Sequence, residues 1–158
     1  MLPLRLLPTL AIALVLSGCS VPTTITPRRD LLKDAPTQVQ VQGQNLSLHA
    51  YLGRDFMPAA PPDGRPMVAV LRVRTVDGSR FPAGVTADKV SVVYGDRVWT
   101  AATRQEHPSQ QAHVLEVIAR DGPKWGPDVR VDVIVYLHDA AGRQHLLRAP
   151  DQLIESSH

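Results

Sequence analysis

A period of two in the apolar residues constrains the fold of this chain more than any other feature of the sequence. From residue 38 onward, apolar side chains alternate with polar ones, and no ten-residue stretch has a convincing helical stripe. The longest alternating run contains Val129, Val131, Val133, Val135 and Leu137. Such alternation is typical of half-buried β-strands, whose successive side chains point to opposite faces of a sheet. We therefore expect these five residues to face the core from one central strand.

Turn signals separate the alternating stretches at a spacing of roughly ten residues. Residues 89–94 and 97–102 flank Gly95-Asp96, a link that suits a type II′ hairpin because glycine accepts the positive φ of its first position. Asp139-Ala-Ala-Gly142 predicts a second hairpin, which leads into a strand over residues 143–148. Residues 57–66 contain four prolines and predict a loop, since proline cannot donate to a sheet ladder.

These signals predict an all-β fold of about seven or eight short strands. The pattern resembles that of immunoglobulin-like and fibronectin-like domains, which implies a single antiparallel β-sandwich over residues 38–158. A small barrel is the alternative. A chain of this length buries about two-thirds of its unfolded surface, so the fold does not require disulfides. The resemblance is architectural and implies no particular activity.

The first residues have the layout of a secretory signal peptide, with Arg5 ahead of an apolar stretch and small residues before Cys19. Leu16-Ser17-Gly18-Cys19 resembles the lipobox of bacterial lipoproteins. The resemblance implies cleavage after Gly18, a diacylglyceryl thioether on Cys19 and acylation of the new amino group. Ser20, in place of the aspartate that tends to retain such proteins in the inner membrane, favours the outer membrane of a two-membrane cell. In a cell with one membrane, we expect the outer face of the cytoplasmic membrane.

Cys19 is the only cysteine, and a free thiol in an oxidising compartment is a liability that lipidation removes. An ordinary secreted protein with a coincidental cysteine is the alternative. We divide the chain into a lipoprotein signal peptide (1–18), the lipidated cysteine with a flexible linker (19–37) and the β-sandwich domain (38–158). The linker prediction is based on three prolines and few large apolar residues between residues 21 and 37.

Charge and motifs exclude several classes of function. With 17 basic and 15 acidic residues, the chain is close to balance, which argues against a nucleic-acid partner. It has no nucleophile elbow, no His-Glu-x-x-His and no glycine-rich phosphate loop. We expect Asp132, Asp139 and Glu116 to face solvent rather than to pair for acid–base chemistry. The sequence thus predicts no catalytic residues, no enzyme activity and no cofactor apart from the covalent lipid.

Histidines offer the only hint of a metal site. His138 and His145 flank the last predicted hairpin and are able to approach each other across it, and His107 and His113 flank a polar loop. Zinc needs three or four ligands, so two histidines on a loop rim fall short. We therefore expect no metal site and assign these histidines to exposed strand ends.

Residues 121–128 form the candidate recognition loop. Glycine and proline stiffen this segment, which carries Lys124 and Trp125. A rigid loop that presents an aromatic side chain loses little entropy on docking, so we predict Lys124 and Trp125 as partner-binding residues. The alternative is that Trp125 folds back to plug the open end of the sandwich. We expect Trp99 in the core, and residues 57–66 are a second candidate contact.

The sequence thus predicts a membrane-anchored lipoprotein of the bacterial cell envelope, whose non-catalytic β-sandwich binds a protein partner or envelope component. The alternative is an envelope lipoprotein that binds a small ligand, a glycan or a metal. That alternative requires a concave pocket lined by aromatic or histidine side chains.

Overall fold

Strands make up most of the chain that the structure describes. The computed structural model describes residues 29–158, so the leader and Cys19 lie outside the described residues. Within residues 29–158 one short helix, α1 (Arg29–Lys33), precedes eight strands. The strands are β1 (Gln38–Val41), β2 (Gln44–Asp55), β3 (Met67–Thr75), β4 (Thr86–Tyr94), β5 (Arg97–Ala102), β6 (Val114–Gly122), β7 (Arg130–His138) and β8 (Gln144–Ser157).

These strands form one curled sheet with the order β5-β4-β7-β8-β2-β3-β6, and β1 pairs with the start of β2. The all-β prediction is confirmed. The purely antiparallel arrangement is wrong at one pairing, because β2 and β8 run parallel where Leu52 lies opposite Ile154. β8 is 14 residues long and pairs twice, first antiparallel with β7 and then parallel with β2. A register shift in the β7–β8 pair and a positive φ of 57° at Asp151 accompany this change of partner.

The two ends of the curled sheet meet at a single bridge. Just after β5, Arg104 exchanges both backbone hydrogen bonds with Ile118 of β6, at 2.9 and 2.8 Å. The sheet therefore wraps around one apolar core to which all of its longer strands contribute. As predicted, Val131, Val133, Val135 and Leu137 of β7 are buried in that core. Val129, just before β7, packs against it while partly buried.

The outer face of β7 is also covered. Leu32 of α1 and Ala35 pack on a second cluster formed by Val93, Ile134 and Tyr136. A helix of five residues is not stable alone, so this packing holds it in place. The predicted linker thus includes, from residue 29 on, a segment that lies against the sheet. No helix in this part of the chain has the length and apolar character that a membrane crossing needs.

Candidate functional site

The two loops that the sequence singles out separately meet at one end of the molecule. The loop after β2 and the loop before β7 are joined there by Arg54, which is only 3% exposed. Its Nη1 donates to the carbonyl oxygens of Lys124 (3.2 Å) and Gly126 (2.7 Å). Its Nε donates to the carbonyl of Arg65 at 3.2 Å, and its Nη2 donates to the carbonyl of Asp63. A buried cation is costly unless its donors are satisfied, and these carbonyls accept four hydrogen bonds that involve all three guanidinium nitrogens.

An ion pair on the surface crosses the same junction. Lys124 Nζ lies 2.7 Å from Asp63 Oδ2, and this hydrogen bond holds the pKa of the Asp63 carboxyl below its usual value. Exposed pairs of this kind contribute little stability, so the buried guanidinium of Arg54 is the stronger link. We call the surface formed by residues 56–66, 94–97 and 121–128 the loop end.

Trp125 lies within the loop end between the core and the surface. It is partly buried against the core, and its ring centroid is 5.7 Å from that of Tyr94. Arg97 lies over both rings, with its Cζ 4.7 Å from the centroid of Tyr94 and 5.4 Å from that of Trp125. The indole therefore contacts the core on one side and a cation at the surface on the other. Its role in partner binding stays a prediction, as does that of Lys124. Trp99 packs against the core but is only partly buried.

Sequence reasoning missed Arg54, although a signal was present. The inward positions of β2 follow the period of two through Ala50 and Leu52, and Arg54 occupies the next inward position. A charged residue at a position that alternation assigns to the core needs internal partners. The conflict between the charge of Arg54 and its inward position therefore indicates a buried residue that is bound by groups inside the protein.

Asp139 is buried rather than solvent-facing, so its predicted exposure is wrong. Its carboxylate accepts hydrogen bonds from the backbone N–H groups of Ala141 and Arg143, both at 2.9 Å. It also accepts from Arg143 Nε at 2.9 Å and from His145 Nε2 at 3.0 Å. The bond from His145, followed by those from Arg143, holds the pKa of Asp139 well below its ordinary value of 3.8. The carboxylate closes the β7–β8 turn by satisfying its N–H groups, which is a common role of aspartate in turns.

The other two carboxylates are half-buried and are held by different arginines. Glu116 Oε2 accepts from Arg72 Nε at 2.6 Å. Asp132 accepts from the backbone N–H of Asp151 at 3.0 Å and from Arg148 at 3.5 Å. Each carboxylate thus has its own cationic partner.

The register of the last hairpin separates its two histidines. His138 lies opposite Gln144, and His145 lies opposite Leu137, so the two rings point to opposite faces of the sheet. His138 Nδ1 lies 3.3 Å from Asp88 Oδ1, whereas His145 binds Asp139. Over the described range, 29–158, no three His, Cys, Asp or Glu side chains group in a way that would hold a metal ion.

Comparison of the chain with protein-family models, with curated proteins and with solved structures gave no match.

Proposed function

We propose that this chain is a membrane-anchored lipoprotein of the bacterial cell envelope. Its β domain binds a protein partner or envelope component without catalysis, and the contact surface is the loop end. The sequence supports the anchor through the leader and through Cys19 in its lipobox-like setting. Two or three acyl chains on that residue would hold the protein on a membrane in practice permanently.

The observation that carries the binding proposal is the junction built around Arg54. It fixes two long connections against each other through carbonyls on both loops. A surface that is ordered before binding loses less conformational entropy when a partner docks. The same surface carries an aromatic pair, Tyr94 and Trp125, under the exposed Arg97. Tyrosine, tryptophan and arginine are the residue types that contribute most at protein interfaces.

The chain between Cys19 and α1 limits how far the start of the described domain can lie from the proposed anchor. Nine residues lie between Cys19 and Arg29, and the ten steps from one to the other span at most about 35 Å when fully extended. We propose that the domain works within this distance of its membrane, which is the outer membrane in a two-membrane cell. A partner would then be another protein or component of that membrane, or a molecule close to it.

We also propose a two-layer description of the curled sheet, related to immunoglobulin-like sandwiches. In this description β1, β2, β3 and β6 form one layer, β4, β5 and β7 form the other, and β8 crosses between them. The shared core supports it, because inward residues of β3, such as Leu71, cluster with inward residues of β4, such as Val90. The architecture implies no activity, so the proposed function does not depend on it.

The test begins with affinity capture from detergent-solubilised envelope, using the intact lipidated protein, and continues with binding assays on the purified partner. Arg97→Gln removes the surface cation and leaves the core in place, so we expect binding to weaken by about 1–2 kcal/mol with an unchanged melting temperature. Trp125→Ala should weaken binding by about 1–3 kcal/mol. Arg80→Gln is the matched control, since Arg80 is an exposed arginine in the loop after β3, at the other end of that strand.

Two results would count against the loop end. One is a partner that binds the Arg97→Gln and Arg80→Gln proteins equally well. The other is a Trp125→Ala protein that loses stability and, at temperatures where it is folded, binds as the parent does. In that case Trp125 fills the open end of the core and is not a partner-binding residue.

A further inference from the structure

A basic hollow lies on the outer face of the sheet, toward the end of β3 away from the loop end. Its volume is about 210 Å³. The residues that line it come from β2, β3, the loop before β6 and the first residue of β6: His49, Arg72, Arg74, Gln111, His113 and Val114. We call it the arginine hollow.

Strand register explains why these side chains converge. Arg72 and Arg74 occupy alternate positions of β3 and therefore point to the same face. His49 of β2 lies directly opposite Arg72, and Val114 of β6 lies directly opposite Arg74. The backbone N–H of Thr75, at the end of β3, donates to the carbonyl of His113 at 3.2 Å and so ties the neighbouring loop to this edge.

The hollow holds more donors than the protein satisfies. Arg72 uses its Nε for Glu116, at 2.6 Å, which fixes the guanidinium but leaves Nη1 and Nη2 without a hydrogen bond in the described chain. The side chains of Arg74, His49, Gln111 and His113 likewise make no hydrogen bond to residues 29–158. No carboxylate is among the described residues that line the hollow.

Several exposed arginines elsewhere on the surface form ion pairs. Arg120 binds Glu106 through two nitrogens, at 2.7 and 2.8 Å, and Arg130 binds Asp151. Arg74 has no carboxylate of residues 29–158 within 4.0 Å, although it stands next to Arg72 on the same face. Two neighbouring guanidiniums repel each other, and an anion bound between them would remove that repulsion.

We propose that the arginine hollow binds a phosphate group. A phosphate accepts hydrogen bonds from several directions at once, and the planar fork of arginine matches its oxygens. A carboxylate is the poorer match, since it offers only two oxygens to donors that surround the hollow and Arg72 already holds one at Glu116. The phosphate is carried either by a soluble molecule or by a lipid headgroup.

A second hollow extends the site and indicates a ligand larger than phosphate itself. It has a volume of about 480 Å³, shares Arg72, Gln111 and Val114 with the arginine hollow, and also contains Glu116. Ser109 and Gln110 line it as well, so its walls offer acceptors and donors for hydroxyl groups. A polar, hydroxyl-bearing portion attached to the phosphate fits this chemistry.

The test uses the full chain with Cys19→Ser and two probes at one fixed pH and salt concentration. Pyrophosphate is titrated calorimetrically, and vesicles of phosphatidylcholine with or without phosphatidic acid are used for flotation. We expect at least one probe to bind, and Arg74→Gln to weaken that binding about tenfold, in line with one lost charge-assisted bond. Arg130→Gln is the matched control, because it removes the same charge from an exposed arginine elsewhere.

The outcomes separate the sources of the phosphate. Pyrophosphate binding that depends on Arg74 identifies a soluble ligand, and vesicle binding with the same dependence identifies a headgroup. If neither probe binds, or if Arg130→Gln weakens binding as much as Arg74→Gln, the proposal is overturned. Partner capture at the loop end does not involve Arg74, so either proposal can fail without the other.

Discussion

Single charged residues in buried positions fix the loops of this protein. Arg54 and Asp139 are 3% and 4% exposed, and each is surrounded by hydrogen-bonding groups of opposite polarity. Arg54 joins two connections of the loop end, and Asp139 closes the β7–β8 turn. Neither role was readable from residue type alone, because both depend on which backbone groups the fold brings near. Arg54 was nevertheless detectable as a charge at an inward strand position.

Asp139 should make the protein sensitive to acid. Its pKa is lowered in the folded state, so its carboxylate stabilises the fold fully above the unfolded value near 3.8, and that contribution is lost as the pH falls below it. We expect Asp139→Asn to melt at a lower temperature than the parent near neutral pH. The gap should narrow as the pH falls from about 6 to about 2.

Thermal unfolding followed by circular dichroism across this pH range is the measurement. Asp96→Asn, in the exposed β4–β5 turn, is the control and should follow the parent. A gap between the Asp139→Asn protein and the parent that stays constant down to the lowest pH would show that the charge of Asp139 has no part in the effect.

Among the elements, sequence reasoning succeeded where apolar periodicity was strong and local. The alternation in β7 predicted which of its side chains face the core, and the Gly95-Asp96 turn predicted the β4–β5 pair. The second half of β8 was not predicted, since the expected strand covered only residues 143–148 and the proline at position 150 cannot donate to a ladder. In the structure, Pro150 lies at the register shift in the β7–β8 pair. Pairing with β7 resumes at Gln152 and Leu153, and β8 pairs with β2 from Ile154 onward.

α1 was missed for a different reason. Five residues carry too little helical propensity to be recognised without the surface on which they pack. Leu32, which is fully buried, clusters mainly with residues far away in the sequence, which lie in β4, β7 and β8. Tertiary packing therefore decides the structure of this segment.

Leu32→Ala tests whether α1 belongs to the folded domain. Truncation of a fully buried leucine should lower the free energy of unfolding by about 2–4 kcal/mol, because it leaves a cavity above Ile134 and Tyr136. Leu31→Ala is the control, since Leu31 is 61% exposed and its removal should change stability by less than about 0.5 kcal/mol. Urea denaturation of the two proteins measures both free energies of unfolding and so decides whether α1 is part of the folded domain. Equal and small effects would mean that residues 29–35 are an undocked tether.

At the scale of the whole molecule, the order of the strands in the sheet could not be predicted from the sequence. Local patterns predict strands, but the parallel pairing of β2 with β8 joins residues about a hundred positions apart and leaves no local signal. For the same reason the convergence of two loops at Arg54, and of five donor side chains at the arginine hollow, became visible only in the folded chain. Lys124 and Trp125 were predicted from the glycine and proline residues that stiffen their loop, whereas Tyr94 and Arg97 come beside Trp125 only through the fold.

The geometry separates three surfaces by position. α1 covers the outer face of β7, the loop end lies near the start of β3, and the arginine hollow lies near its end. Met67 and Arg74 are about 23 Å apart along β3, so one molecule has room for a partner and a phosphate ligand at once.

Fractionation of cells that express the parent and the Cys19→Ser protein tests the proposed lipid anchor most directly. We expect the parent to remain in the membrane pellet through high-salt and carbonate washes, with the mass of a diacylglyceryl group on Cys19. The Cys19→Ser protein should be folded, exported and released, because it lacks the thiol to which the proposed lipid would be attached. A Cys19→Ser protein that is exported yet stays in the washed membranes would contradict the lipid-anchor proposal.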